Sequence, residues 1–143
     1  MNCTIRQYKS EDFFELKTLL SDVYESHVSK ETLEKSYLSD TRHILVAIED
    51  KTGKLIGCTF VEKQVDFIRS NSILYVTYVA VDEKFRKMGI GRKLLSRVEM
   101  MCIEQRCYAI ELTSANFRTG AHAFYESLGF TEKKTKLYIK EMK

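Results

Sequence analysis

The stretch Arg86-Lys87-Met88-Gly89-Ile90-Gly91 decides the fold because of what lies on either side of it. An apolar run at residues 73–81 precedes it, and an amphipathic segment at residues 90–106 follows it. This order predicts a strand, a glycine loop and a helix. Glycine lets a backbone approach a ligand closely, and the first amides of a helix have no intrahelical partners. Such a loop is typical of a phosphate-binding site.

The rest of the sequence predicts further strands and helices. Ser10 and Ser29 are candidate N-caps, the turn at residues 50–54 joins two β-branched runs, and Gly129 is a candidate left-handed helix end. The predicted strands are residues 3–7, 44–49, 55–65, 73–81, 109–113 and 136–140. The predicted helices run from Ser10 to about His27, from Ser29 to about Leu38, over residues 90–106 and over residues 118–128.

Length and charge restrict the class of protein. The 143 residues suit one domain, spanning residues 1–143. The 23 basic and 20 acidic side chains are well mixed, which argues against a dedicated nucleic-acid binder. The first residues are polar, and no apolar run approaches the roughly 20 residues of a membrane span. We therefore expect a cytoplasmic protein with no nucleic-acid or membrane partner.

Neither cysteines nor histidines show the spacing of a metal site. There is no Cys-x-x-Cys pair, and the three histidines form no spaced ligand pair. We therefore expect no metal and no disulfide framework, and we expect reduced, partly buried thiols. The residues concerned are Cys3, Cys58, Cys102, Cys107, His27, His43 and His122.

Two blocks of sequence resemble the GNAT superfamily of acetyl-CoA-dependent N-acetyltransferases. Residues 86–91 fit its pyrophosphate signature, Arg/Gln-x-x-Gly-x-Gly/Ala, in the expected position between strand and helix. Residues 116–130 resemble its later Asn...Phe-Tyr...Gly-Phe motif. A Rossmann fingerprint fits less well because Leu94 stands where that motif needs glycine or alanine.

The resemblance implies a fold and a cosubstrate. The fold is an α/β domain with a mixed, mostly antiparallel sheet flanked by about four helices. In it, the strand at residues 73–81 splays from its parallel neighbour at residues 109–113, and acetyl-CoA fills the gap. The resemblance implies that loop amides hold the pyrophosphate, that the backbone of Val79 and Val81 pairs with the pantetheine arm, and that Asn116 bonds the pantetheine amides. The cofactor-binding residues expected in this way are Val79, Ala80, Val81, Arg86, Lys87, Met88, Gly89, Ile90, Gly91, Arg92, Asn116 and Tyr125.

The resemblance also implies a general acid and leaves the general base open. Tyr125 matches the family tyrosine that meets the CoA sulfur, and a phenol of pKa about 10 can protonate a departing thiolate. Many relatives carry a glutamate on the strand before the glycine loop, but this sequence has tyrosine and threonine there. Glu62 is the first candidate for the base. The alternatives are Asp66, Glu111, His122 or a water held by Tyr75, Thr77 and Tyr78.

The expected reaction is direct transfer of acetyl to a primary amine of a small molecule, in a ternary complex. A weaker similarity to aminoalkylphosphonate N-acetyltransferases suggests an anionic amine held by Arg42, Lys63 or Arg69. The alternatives are acetylation of a protein lysine or N-terminus, and a non-catalytic acyl-CoA-binding or regulatory domain. A homodimer is also a possible assembly, with residues 137–142 contributing an edge.

Overall fold

The computed structural model describes residues 2–142, which form two compact units. The boundary between them lies between Thr113 and Ser114. The first unit holds all the strands and the glycine loop, and the second holds the last helix and the C-terminal segment. The single domain remains a prediction.

The first unit is built on one five-stranded sheet whose strands lie side by side in chain order. The first four strands pair antiparallel, and the fifth pairs parallel to the fourth. This confirms the predicted mixed, mostly antiparallel sheet with one parallel pair. The strands are β1 (Cys3–Gln7), β2 (Arg42–Glu49), β3 (Leu55–Asp66), β4 (Asn71–Val81) and β5 (Ala109–Leu112).

Among residues 2–142, three α-helices and one π-helical segment accompany the strands, close to the four helices predicted, together with two short 3-10 helices, Ser10–Asp12 and Glu83–Phe85. Thr32–Tyr37 is π-helical, and Ser29 Oγ accepts a hydrogen bond from Thr32 N at 3.1 Å, so the predicted cap at Ser29 is present. Among residues 2–142 no helix is both long enough and apolar enough to cross a bilayer. The α-helices are α1 (Phe13–Val23), α2 (Ile90–Glu104) and, in the second unit, α3 (Thr119–Ser127).

Helices α1 and α2 cover opposite faces of the sheet. Cys58 of β3 is buried in the cluster that contains the α1 leucines. A side chain at the neighbouring position, Gly57, would point to the opposite face of the sheet, since side chains alternate along a strand. A Cβ at Gly57 would lie 3.1 Å from Ile90 Cγ2 and 3.3 Å from Leu94 Cδ1, so glycine allows α2 to pack closely on the sheet. The start of α2, and with it the glycine loop, is thereby held against β3 and β4.

The first helix begins later and ends earlier than its sequence pattern predicts. Ser10 does not cap it, because the Ser10 hydroxyl donates to Glu34 Oε1 at 3.1 Å. The N-cap residue is instead Asp12, whose carboxylate accepts from Lys9 N at 2.7 Å and closes a short 3-10 turn, Ser10–Asp12. Tyr24 has extended backbone angles, φ −128° and ψ 151°, and ends α1 four residues after its last buried leucine, Leu20.

The predicted last strand at residues 136–140 is wrong. Within the described chain, residues 131–142 form no strand and are exposed. An alternating pattern gives a segment the residues of a strand, but a strand forms only where another backbone satisfies its hydrogen bonds. Gly129 does take the predicted left-handed conformation, with φ +93°, one residue beyond the C-cap of α3, Leu128.

Candidate functional site

Strand β4 parts from its neighbour before it reaches the glycine loop. Its parallel pairing with β5 covers only residues 73–76, which face residues 109–112. Its pairing with β3 shifts at the same point, since Phe60 faces Tyr78 while Val61 faces Val76. Thr77 is therefore an extra residue on β4, and such a bulge bends a strand. Residues 77–81 continue past β5, which leaves one edge of β4 open.

The backbone carbonyls at the end of β4 point alternately toward β3 and toward the open edge. Tyr78 O accepts a hydrogen bond from Thr59 Oγ1 of β3 at 2.9 Å. Val79 O accepts instead from Tyr24 Oη at 3.1 Å, and Val81 O accepts from Arg86 Nε at 3.2 Å. Both donors lie outside the β3–β4 ladder. The two residues expected to pair with a cofactor arm thus present their backbone on the open side.

The glycine loop combines two left-handed residues with a helix start. Lys87 has φ +63° and Gly89 has φ +85°, and alternation of this kind turns successive N–H groups toward one side. Lys93 N bonds to Gly89 O at 3.0 Å, so the amides of residues 90–92 precede the helical ladder. The left-handed Lys87 was not predicted, because lysine carries no sequence signal for that conformation. A loop of this geometry can bind an anion through backbone amides.

The expected cofactor residues differ in side-chain burial, and Val79, Val81, Gly91 and Tyr125 are intermediate. Arg86, Lys87, Met88, Gly89 and Arg92 are exposed. Ala80 and Ile90 are only 2% and 1% exposed, so only their backbone could reach a ligand. The cofactor roles of the loop residues remain predictions.

Two of the candidate bases, Glu62 and Glu111, flank Tyr75 of β4. Glu62 of β3 faces Tyr75 of β4, and Glu111 of β5 faces Tyr75 from the other side. Residues in register share a face of the sheet, so the three form a row. Arg42 lies with its Nε 3.8 Å from Glu62 Oε2, and Tyr75 Oη lies 3.0 Å from Thr113 Oγ1. The row places a carboxylate beside the bulge without a glutamate on β4.

The two other candidate bases lie elsewhere. Asp66 ends β3 and is bonded by Arg69, whose backbone N–H and guanidinium both lower the pKa of its carboxyl. His122 lies on α3 in the second unit, and its Nε2 is 2.9 Å from Ala115 O. Asp66 therefore stabilises the turn after β3, and His122 lies near the start of its own helix. Neither residue belongs to the row at Tyr75.

The second unit holds the residues of the later motif. Asn116 is exposed in a turn before α3. Tyr125 is half-buried on α3, and its ring meets Phe130 edge to face with centroids 5.9 Å apart. Phe130 N also bonds to Tyr125 O at 3.1 Å. The left-handed Gly129 makes that return possible, so the Gly129-Phe130 pair orients the Tyr125 ring.

Tyr24 is a residue of the site that sequence reasoning missed. It ends α1, and its hydroxyl reaches the carbonyl of Val79, 55 positions later in the chain. Its ring also lies 5.1 Å from the ring of Tyr78. A tyrosine after a helix carries no local signal for such a contact, because the contact depends on how α1 packs on the sheet.

Known proteins are similar to this chain in sequence and in fold. The model of the Acetyltransferase (GNAT) family matches residues 6–130. "Glucosamine 6-phosphate N-acetyltransferase 1" of Dictyostelium discoideum is 29% identical over 106 residues, which cover 71% of this chain and 63% of that protein. "N-alpha-acetyltransferase 30" of the same organism is 32% identical over 79 residues, which cover 55% of this chain and 42% of that protein. The chain thus spans less than two thirds of the length of either relative.

Among solved structures, an aminoglycoside acetyltransferase from an uncultured soil metagenomic sample has a TM-score of 0.86 at 21% identity. That similarity covers 99% of this chain and 97% of the other. Glucosamine-6-phosphate N-acetyltransferase from Arabidopsis thaliana has a TM-score of 0.82 at 22% identity, covering 98% and 99%. At this level of identity the two structures establish the fold and leave the substrate open.

Proposed function

Since this chain belongs to the acetyltransferase (GNAT) family, we propose that it transfers the acetyl group of acetyl-CoA to a primary amine of a small molecule. The observation that carries the proposal is the open edge of β4, which ends at the glycine loop. Within the described residues 2–142, no strand pairs with residues 77–81 on one side, and the loop after them presents amides at the start of α2. The open edge supplies partners for the amides of a pantetheine arm, and the loop supplies donors for the pyrophosphate.

The proposed reaction is direct attack in a ternary complex. The neutral amine nitrogen attacks the acetyl carbonyl carbon, and the C–S bond breaks as the C–N bond forms. A strand amide near Val79 stabilises the negative charge on the carbonyl oxygen. The departing CoA thiolate receives a proton from the Tyr125 hydroxyl, and the amine gives up its proton to a base. Asn116 holds the pantetheine amides.

We assign the base to Glu62, either directly or through a water. An amine of lysine-like pKa is neutral in only about one molecule in a few thousand at pH 7, so the site must remove a proton. Glu62 supports this role because it lies in register with Tyr75 and its side chain is 31% exposed. Its Oε2 lies 3.8 Å from Arg42 Nε, which holds the carboxylate in place beside the strand.

Substitution of Glu62 tests this assignment. In Glu62→Gln we expect kcat to fall about a hundredfold and the loss to be largest at low pH, where the amine is almost fully protonated. The matched control is Glu104→Gln, which changes an exposed glutamate at the end of α2. Equal pH profiles for wild type and Glu62→Gln would move the role to Glu111 or to a water.

The proposed acceptor class follows two similar proteins, which are named as acting on glucosamine 6-phosphate and on an aminoglycoside. Both are small amines. The decisive experiment is a calorimetric titration of acetyl-CoA, followed in the same preparation by thiol release across amino sugars, polyamines, aminoalkylphosphonates, arylalkylamines and peptides. Binding with turnover of a small amine supports the proposal. Binding without turnover of any amine favours a non-catalytic acyl-CoA-binding domain, and no binding contradicts both.

A further inference from the structure

A cavity of about 330 Å³ lies in the first unit, between the end of α1, the π-helical segment and the sheet. Four of its lining residues are aromatic: Tyr24, Tyr37, Phe60 and Tyr78. Half of the others are leucine or valine. This volume is at the small end of the roughly 300–1,000 Å³ typical of ligand pockets. It suits a molecule with a single ring and a short tether better than an oligosaccharide.

The four rings form one continuous wall. Tyr24 meets Tyr78 with centroids 5.1 Å apart and Phe60 meets Tyr78 at 5.4 Å, both edge to face. Tyr37 meets Phe60 at 5.6 Å in a tilted arrangement. Each ring is thus held by a neighbour, so the wall exists before a ligand arrives. A flat apolar body can contact such a wall at a low cost in side-chain entropy.

The charges around the cavity suit a cation. Glu25 is the one charged residue among the described residues that line it, and no lysine or arginine is among them. Arg42 stacks over the Tyr37 ring, with its guanidinium 5.5 Å from the ring centroid, and pairs with Glu62. Arg69 pairs with Asp66 at 3.0 Å. A phosphate in this cavity would lose its hydration without gaining a basic partner, whereas an ammonium group could lie near Glu25 or over a ring face.

The cavity adjoins the open edge of β4. Tyr24 contributes both to the cavity wall and, through its hydroxyl, to the hydrogen bond with Val79 O at 3.1 Å. Tyr78 lines the cavity and precedes Val79 in the chain. An amine held between these two rings would therefore lie beside residue 79, where the acetyl carbonyl is proposed to sit.

We propose that the acceptor is a primary arylalkylamine, with one aromatic ring, a short alkyl tether and no phosphate or carboxylate. This rests on the proposed acetyl transfer and names the acceptor of the same site. It departs from the anionic acceptor suggested by the sequence and from the phosphorylated sugar named for one relative. The ring packs on the aromatic wall, and the amine points toward the end of β4.

The test measures binding and turnover separately with 2-phenylethylamine, glucosamine 6-phosphate and 2-aminoethylphosphonate. Calorimetry is done with the CoA-saturated protein, and thiol release is followed with acetyl-CoA. We expect kcat/KM for 2-phenylethylamine to exceed that for either phosphorylated amine at least tenfold. Tyr78→Ala should weaken binding of 2-phenylethylamine about tenfold while acetyl-CoA affinity is kept. Tyr78 is 45% exposed, so the substitution removes one ring of the aromatic wall and disturbs the buried core less. The control is Tyr108→Ala, at an exposed tyrosine that lines no part of the cavity.

Absence of 2-phenylethylamine binding, or preference for a phosphorylated amine, overturns the arylalkylamine proposal and leaves acetyl transfer standing if another amine is turned over. Binding that is weakened equally by Tyr78→Ala and Tyr108→Ala also overturns it. Binding that depends on Tyr78 but gives no thiol release supports the cavity as the amine site and contradicts the proposed transfer.

Discussion

Replacing Gly89 by alanine should damage cofactor binding more than it damages the fold. Gly89 has φ +85°, and a residue with a Cβ costs about 1–2 kcal/mol in that conformation. Alanine also lowers the conformational entropy of the unfolded chain, which stabilises the folded state by about 0.4–1 kcal/mol and offsets part of that cost. We therefore expect the free energy of unfolding to fall by about 1 kcal/mol. A Cβ at this position has no protein atom within 4 Å, so no packing cost is added.

The same open space explains the expected effect on binding. Gly89 lies within the loop that is proposed to bind the pyrophosphate, so we expect a methyl group in this open space to compete with the ligand. We expect acetyl-CoA to bind at least tenfold more weakly, which corresponds to about 1.4 kcal/mol. Urea unfolding measures the stability, and calorimetric titration of acetyl-CoA measures the affinity.

The matched control is Gly53→Ala, in the turn between β2 and β3. Gly53 has φ +73°, and a Cβ added there would also have nothing within 4 Å, so its cost in stability should be the same, about 1 kcal/mol. It contributes no amide to the glycine loop at residues 86–91, so acetyl-CoA affinity should be unchanged. The assignment of the loop as the pyrophosphate site is refuted if both variants bind acetyl-CoA as tightly as wild type.

Two substitutions and one chemical modification test the proposed general acid, the stability of the fold at low pH and the burial of the Cys58 thiol. Tyr125→Phe should lower turnover about ten- to a thousandfold with acetyl-CoA affinity nearly kept, as measured by thiol release and calorimetry; an unchanged rate would exclude Tyr125 as the acid. The Arg6 guanidinium, at 2.7 and 2.9 Å, holds the pKa of the Asp12 carboxyl below its usual range. This stabilisation is therefore present above the unfolded-state pKa of about 4 and is lost as the pH falls through the lower folded-state value. In urea unfolding, Asp12→Asn should cost about 1.5–3 kcal/mol at pH 7 and should flatten the loss of stability below pH 4; a wild-type pH dependence in the variant would contradict the assignment. Burial raises the pKa of the Cys58 thiol to about 12, so iodoacetamide at pH 8 should leave Cys58 unmodified in the native protein and modify it in urea; mass spectrometry reads the site, and native modification would mean that β3 opens.

The parts of the fold that the sequence predicted are those fixed by local chemistry. The hairpin of β2 and β3 has a turn whose Gly53 takes the left-handed conformation that such turns need. Helix α2 begins at Ile90 as predicted, because Gly89 and the periodic leucines after it are both local signals. The parallel neighbour of β4 came instead from the resemblance to the acetyltransferase family, and the pairing of residues 73–76 with residues 109–112 confirms it.

The parts that it missed depend on partners distant in sequence. Ser10 has a side chain suited to an N-cap, but its hydroxyl donates a hydrogen bond to Glu34, and Asp12 is the N-cap residue instead. The segment at residues 136–140 has the residues of a strand, and nothing in its own sequence provides the neighbouring backbone that a strand requires. The Tyr24 hydroxyl bonds to Val79 O because α1 packs on the sheet, and no short-range sequence pattern encodes that packing.

The proposed base lies on a different strand from the one that the family resemblance implies. The resemblance implies a glutamate on the strand before the glycine loop, and in this chain Tyr75, Thr77 and Tyr78 lie there. Register brings Glu62 of β3 to the position opposite Tyr75, so a neighbouring strand supplies the carboxylate. Tyrosines on β4 then have room to contribute to an aromatic wall, as Tyr78 does. Under the proposed assignment of the base to Glu62, a carboxylate one strand away accounts both for the missing glutamate and for the apolar cavity. The Glu62→Gln and Tyr78→Ala variants test the two halves of that argument independently.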